Sequence, residues 1–298
     1  MTKTPINLQE LRRRIYQKAK AEPTHRFWGL FVHITKLRHN ILLEKIAKRV
    51  QDPKVMHLVK QVIKAAGKIG VPQGGPFSPL ASNIYLNEVD WTFDAIRRKT
   101  TEGGYEAVNY HRFADDMVIT VSGHSSKRGW AERALQRLKE QLESLAVELN
   151  LEKTRMVNVL KGESFAFLGF DFRRVQNRSR TGYFILMTPK KKARMTVKAR
   201  IRELIQNGGA KTAKDIVKQV NATLAGWVNY FRVGNSSHAF SEVRDYTEMK
   251  IRTLLTRRKR RQKRSIGWRR WSNEYLYNVL GLYWDWKVHP LKSAEAFR

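Results

Sequence analysis

Two adjacent carboxylates, Asp115 and Asp116, stand within the run Tyr110-His111-Arg112-Phe113-Ala114-Asp115-Asp116-Met117-Val118-Ile119-Thr120-Val121. Aromatic and β-branched residues flank them, Val108–Phe113 before and Met117–Val121 after, which predicts a hairpin with the acids at or near its turn. Carboxylates fixed side by side repel unless a cation lies between them or one keeps its proton. A divalent ion meets that need, because Mg²⁺ takes hard oxygen ligands and is commonly held by one or two carboxylates and substrate phosphates. The competing reading is a plain Asp-Asp turn, present because Asp tolerates turn geometry.

Some forty residues upstream, Gly70-Val71-Pro72-Gln73-Gly74-Gly75-Pro76-Phe77-Ser78-Pro79-Leu80 is dense in Gly and Pro. It reads as a loop entering a helix, with Ser78 as the cap and Pro79 in the first turn, where its missing N–H costs nothing. Gly74 and Gly75 let backbone approach a ligand closely, and the Gln73 amide both donates and accepts. Alone, this is an ordinary loop-to-helix junction. The acidic hairpin at this distance changes its meaning.

Together the two stretches resemble the PQG-to-SPxLxN and YxDD motifs of reverse transcriptases, in the wording of the group II intron reverse transcriptase/maturase family. Downstream, Leu149-Asn150-Leu151-Glu152-Lys153-Thr154 is similar to the palm motif after YxDD, and Phe167-Leu168-Gly169-Phe170 to the segment leading into the thumb. Gly226-Trp227-Val228-Asn229-Tyr230-Phe231 resembles the core of the maturase (X, or thumb) domain. The resemblance runs from about residue 38 to the end and implies RNA-directed DNA polymerisation coupled to assistance of intron splicing and mobility. By it, Asp115 and Asp116 are the catalytic and metal-holding acids, with Mg²⁺ as the ion. Pro72, Gln73, Gly74, Phe113, Ala114, Lys153 and Gly169 are implied to line the nucleotide and primer site. Phe113 stands where the motif usually has Tyr, which removes a hydroxyl and keeps the ring.

A departure from the family governs the rest. Arg38-His39-Asn40-Ile41-Leu42-Leu43-Glu44-Lys45-Ile46 resembles the helix that follows the family's first catalytic Asp strand, yet no Asp-bearing strand precedes it. Two-metal nucleotidyl transfer needs carboxylates bracketing both ions. The hairpin alone leaves the second ion short of a bridging ligand, and misplacing reacting groups by about an ångström already costs roughly a hundredfold. Glu44 and Asp52 lie on or beside helices, and Asp90 and Asp94 follow the PQG helix, so none replaces it. An internally deleted copy with impaired polymerase activity is therefore expected. Two functions stay open: a divergent enzyme, or a non-catalytic RNA-binding, maturase-like protein or remnant of a mobile element. Loss of the strand is also expected to leave one sheet edge unpaired and the fold weakly stable, with Gln73 near the hairpin turn.

Composition supports a polyanionic partner. The 298 residues hold 58 Lys+Arg against 26 Asp+Glu, a formal net charge of +32, which self-repels unless an anion meets it. Group II intron RNA is the implied partner, with target DNA as a second; no membrane span and no targeting signal are read, which gives a cytoplasmic expectation. Cysteine is absent, so these residues form no disulfide or thiolate zinc site, and the zinc-dependent endonuclease that many family members carry C-terminally is not expected.

The expected architecture is α+β: a truncated reverse-transcriptase palm, an antiparallel sheet with helices, followed by an all-helical thumb/maturase domain. Residues 1–37 read as a basic segment of one or two helices and 38–188 as the palm remnant. Residues 189–256 read as the thumb and 257–298 as a basic, aromatic-rich binding segment. Ala131, Leu135, Leu138, Leu142, Leu145 and Leu149 form a helical stripe suited to covering a sheet. Phe165–Phe172 alternates as a strand, Tyr183–Met187 is another, and Arg173–Gly182 between them is a basic hairpin loop. Nucleic acid is expected at Lys190, Lys191, Lys192 and Arg194, and at Arg257, Arg258, Lys259, Arg260, Arg261, Lys263 and Arg264. Trp268, Trp271, Tyr275, Tyr277, Tyr283, Trp284 and Trp286 follow, some as stacking surfaces and some as core.

Overall fold

The structure is a computed structural model that describes residues 27–35, 37–65, 67, 70, 77–103, 108–114, 116–122, 129–150, 154–258 and 270–289. It divides into two units, Met1–Phe167 with Arg173–Ile185, and Leu168–Phe172 with Leu186–Arg298.

In the first unit, strand β1 (Phe27–Thr35) precedes helices α1 (His39–Ala47), α2 (Pro53–Lys64), α3 (Phe77–Tyr85) and α4 (Asn87–Glu102). The hairpin β2 (Val108–Phe113) and β3 (Asp116–Ser122) follows, then α5 (Trp130–Ser144), β4 (Glu148–Leu149) and β5 (Arg155–Asn158). The sheet order is β2-β3-β1-β4, with β5 also on β1. A strand returning to lie beside the second arm of a later hairpin is the split βαβ arrangement.

β1 overturns two expectations. Residues 7–37 read as helical; 27–35 are a strand, and 7–26 lie outside the described residues. β1 runs antiparallel to β3 from Phe27↔Ser122 to His33↔Asp116, and to β5 from Trp28↔Asn158 to Phe31↔Arg155. Its sequence, Phe-Trp-Gly-Leu-Phe-Val-His-Ile-Thr, is rich in aromatic and β-branched residues, and pairing with β3, β4 and β5 decides in favour of the strand. The hairpin's flank is thus paired on both sides of β3, not left as an open edge.

Helices cover the sheet. Met117, Ile119 and Val121 of β3 join Leu42, Tyr85, Val89, Phe93, Leu138 and Leu142 in one buried cluster. The α5 stripe was read to Leu149, but the helix stops at Ser144, and Ala146 takes a φ of 49°. Leu145 and Val147 remain buried beyond it, and Leu149 pairs with Ile34 in β4. The buried Tyr85 hydroxyl donates to the Leu145 carbonyl at 2.7 Å, satisfying an acceptor that the helix end leaves orphaned. Asp52 caps α2 by accepting from the Lys54 amide at 2.7 Å, and Pro53 opens the helix. Helix α3 begins at Phe77, so Ser78 and Pro79 occupy its first turn and Ser78 is not the cap.

A three-stranded sheet of order β6-β7-β8 follows, from Phe165–Phe167, Phe170–Gln176 and Tyr183–Pro189. The single strand expected over Phe165–Phe172 is broken by Leu168 and Gly169, with φ of 48° and 80°. Two successive residues at positive φ make the turn that matches the twist of a two-residue hairpin.

The second unit contains α6 (Lys191–Gln206), α7 (Ala213–Phe231) and α8 (Ser237–Arg258), the last longer than the expected Glu242–Leu255. Thr212 and Asp215 form a reciprocal capping box at the start of α7. Ile201, Ile216, Val220, Leu224, Val243 and Ile251 meet along the helices, and Trp271, Leu276 and Leu282 close the core from the C-terminal segment.

Candidate functional site

Phe113 pairs with Asp116, and Ala114 follows Phe113 in the hairpin turn. Ala114 adopts φ 51°, a conformation that a residue with a Cβ takes only when its surroundings enforce it. Asp116 opens β3, exposed, with His33 as its register partner on β1. Phe113 is 41% exposed at the tip, a ring presented to solvent. Asp115 lies outside the described residues.

Arg112 tethers this turn. Its guanidinium forks onto Asp90 of α4, Nε donating to Oδ1 at 2.8 Å and Nη2 to Oδ2. Nη1 donates both to Asn83 Oδ1 of α3 at 3.0 Å and to the Ala114 carbonyl at 3.1 Å. Tyr110 adds its hydroxyl to Asp90 Oδ1 at 2.9 Å and stacks on Phe93 with ring centroids 4.9 Å apart. Burial opposes the charge of Arg112, but the hydrogen bond and charge of Asp90 outweigh it and raise its pKa above the ordinary value. Burial pushes the Tyr110 hydroxyl well above its ordinary range, and the Asp90 carboxylate adds to it, so Tyr110 stays a neutral donor. Asn83 belongs to the helix that follows the Gly/Pro-rich loop. One guanidinium therefore ties that helix to the acidic turn.

The base of the loop is also fixed. His39 Nε2 lies 2.7 Å from the Gly70 carbonyl, and the Gly70 amide donates to Leu37 O at 2.9 Å. Pro72, Gln73, Gly74 and Lys153 lie outside the described residues, and so does the expected proximity of Gln73 to the turn. Gly169 belongs to the β6–β7 turn, where a Cβ would come within 3.3 Å of the Phe231 ring. The Tyr230 hydroxyl donates to Leu168 O at 3.1 Å, joining the Phe-Leu-Gly-Phe and Trp-Val-Asn-Tyr-Phe segments.

The described residues do not fit a two-ion site. β1 occupies the place beside β3, and Phe27–Thr35 contains no Asp or Glu. Among the described residues no group of three His, Cys, Asp or Glu side chains is gathered as a metal would need. Asp116 is the described acid at the turn, and one carboxylate does not bracket two ions.

The basic residues separate by role. Lys190 precedes α6, its amide donating to Gly169 O at 2.9 Å, and Lys191 and Lys192 are exposed in the first turn. Cations at a helix N-terminus oppose the helix dipole, and this first turn has no acidic residue to offset them. Arg194 and Lys198 instead hold Glu242 of α8, Lys198 Nζ donating to Oε1 at 2.6 Å. Partial burial raises the Glu242 pKa, and the bonds from Lys198 and Arg194 more than reverse that, leaving it below 4.5. Arg257 is exposed, while Arg258 donates to the Gly208 and Lys211 carbonyls at 3.0 and 2.7 Å. Lys259, Arg260, Arg261, Lys263, Arg264 and Trp268 lie outside the described residues.

Sequence reasoning missed the Asn83–Arg112–Asp90 link, which joins three elements and has no local periodicity. It also missed Arg252, a buried guanidinium donating to Trp271 O at 2.9 Å and Glu248 Oε2 at 3.1 Å. Tyr277 donates to the other oxygen of Glu248 at 2.7 Å, and its pKa is raised by burial first and by that carboxylate second.

A split sheet with an acid at its hairpin turn and a helical unit beyond it is the plan of a palm and thumb. Residues 5–172 match the family model for reverse transcriptase (RNA-dependent DNA polymerase). Residues 194–277 match the group II intron maturase-specific domain, and the chain belongs to the group II intron-encoded reverse transcriptase/maturase family. It is 33% identical to Protein YkfC of Escherichia coli K12, over 53% of this chain and 49% of that one. It is 26% identical to the group II intron-encoded protein LtrA of Lactococcus lactis subsp. cremoris, over 45% of this chain and 32% of that one. The chain thus spans half or less of these relatives. A telomerase structure from Candida albicans, in complex with a fragment of telomeric RNA, aligns with TM-score 0.42 and 12% identity. That alignment covers 84% of this chain and 48% of the telomerase. Reverse transcriptases generally use Mg²⁺. Among the described residues no helix is long and apolar enough to cross a membrane.

Proposed function

We propose that this chain is a maturase-type RNA-binding protein that recognises group II intron RNA, with target DNA as a second ligand, and that it does not polymerise. The observation that carries this reading is β1. The strand beside the acidic hairpin is built from Phe27–Thr35, which brings no carboxylate to the turn. Mg²⁺ held by Asp115 and Asp116 would lack the third acid that the family's mechanism uses. Binding, by contrast, keeps its means. Lys190, Lys191 and Lys192 at the start of α6 are electrostatically misplaced for the helix and well placed for phosphate. The net charge of +32 acts in the same direction.

Equilibrium binding of an intron RNA fragment across a salt series tests this. Affinity should fall steeply with salt, with a log–log slope of about four or more, as released counterions require. Replacing Lys190, Lys191 and Lys192 by Ala should flatten the slope by about two units. Binding that ignores salt, or a triple variant with an unchanged slope, would refute the reading.

A further inference from the structure

Residues 281–289 form neither helix nor strand, yet they are clamped at both ends. Asn221 of α7 donates to the Gly281 carbonyl at 2.7 Å and accepts the Tyr283 amide at 2.8 Å. Arg232 donates to Asp285 Oδ2 at 2.7 Å and to the Tyr283 hydroxyl at 2.9 Å, and its carbonyl accepts the His289 amide at 2.8 Å. Tyr283 and Trp286 meet edge to face, centroids 5.5 Å apart, and both pack against the helical core. Trp284 stands between these anchors and is 71% exposed.

Tryptophan is ordinarily well buried on average, and its large apolar face in water is unfavourable. Here the inward residues on either side fix the backbone, so the indole has no local route into the core. The surroundings are cationic. Lys214 and Lys218 stand seven and three residues before Asn221, on its side of α7, and both are exposed. Lys218 also lines a shallow groove with Lys211, Asp215 and Gln219, and Lys287 follows Trp284 on the clamped segment. The nearby acids are engaged elsewhere, Asp215 in the capping box and Asp285 with Arg232.

We infer that Trp284 is a stacking platform for an unpaired base of bound RNA, with Lys218 and Lys287 meeting the adjoining phosphates. The inference rests on the RNA-binding reading and deepens it. A planar ring among ammonium groups suits a nucleobase with its phosphates. A paired base hides its faces in the duplex stack, so the platform selects single-stranded segments. A second copy of this chain is disfavoured as occupant, because two surfaces of the same high positive charge repel.

The test compares the full chain with Trp284→Ala and Trp284→Phe, using a short oligouridine and a duplex RNA of matched length. Trp284→Ala should weaken oligouridine binding about tenfold, leave the salt slope unchanged and alter duplex binding by less than about twofold. Trp284→Phe should retain most of the affinity. Thermal melting and sedimentation of each variant should match the parent, since the side chain is exposed. Equal oligouridine binding by Trp284→Ala, or equal losses for both RNAs, would overturn the platform while leaving RNA binding intact. A shift from self-associated to monomeric protein would overturn it too, by assigning the indole to a contact between copies. Failure of the parent to bind either RNA would remove both readings.

Discussion

A guanidinium whose side chain is only 8% exposed keeps its charge because partners surround it, and those of Arg112 come from three elements. Two bonds go to Asp90, one to Asn83 and one to the Ala114 carbonyl. Without it the left-handed turn loses its tether and Asp90 its counter-charge. Arg112→Ala should cost about 2–3 kcal/mol in denaturant unfolding, discounted from a fully buried pair because Asp90 remains partly solvated. Arg112→Lys should recover only part, since an ammonium cannot fork onto Asp90 and still reach the turn. A loss below about 0.5 kcal/mol for Ala would show that the turn holds itself. Glu242 makes a second residue-scale case, through pH. Its pKa is lowered in the folded state, so its stabilisation is present above the unfolded value and disappears as pH falls through the folded one. Below about pH 4.5, Glu242→Gln should therefore melt with a shallower acid dependence than the parent, and parallel acid limbs would contradict the assignment.

At the scale of elements, the hairpin and the thumb helices were legible because their signals are local. Alternation marks β2 and β3, and four–three spacing marks α5. β1 was not legible. The same nine residues suit a buried helix or a strand, and what decides is pairing with β3, some ninety positions away in the chain. The break at Leu168–Gly169 was hidden for a related reason: positive φ at a Leu is set by the turn and its packing against Tyr230 and Phe231, not by composition. If β1 is integral, Leu30→Pro should disrupt its pairing, because proline cannot donate and is not accommodated within a central strand. Hydrogen exchange at Val118–Val121 would then rise toward the unfolded rate, whereas protected amides would mean β3 stands without β1. Gly234, at φ 73° between α7 and α8, offers a parallel test in the helical unit. A Cβ there would lie 2.8 Å from the Met187 carbonyl, so Gly234→Ala should cost at least about 2 kcal/mol. A neutral change in thermal melting would show that the loop can shift freely.

For the whole molecule, charge and the acidic hairpin pull toward different functions. The positive excess was plain from composition, and it fits a chain that grips RNA through many phosphates. That no Asp-bearing strand precedes α1 was also visible in the sequence. An unpaired edge beside the hairpin was expected; instead β1 pairs with β3, and its residues Phe27–Thr35 include no Asp or Glu. On the proposed function, such a sheet keeps binding and lacks catalysis within one fold. What sequence could not show was that Phe27–Thr35 pairs with β3, since which strand fills a place is a tertiary choice.

Primer extension tests this separation most directly. A DNA primer annealed to an RNA template, supplied with deoxynucleotides and either Mg²⁺ or Mn²⁺, should remain unextended by the full chain under conditions where the same duplex is bound. Templated extension that is lost in Asp115→Ala and Asp116→Asn, with RNA affinity unchanged, would contradict the account and make the chain a working polymerase.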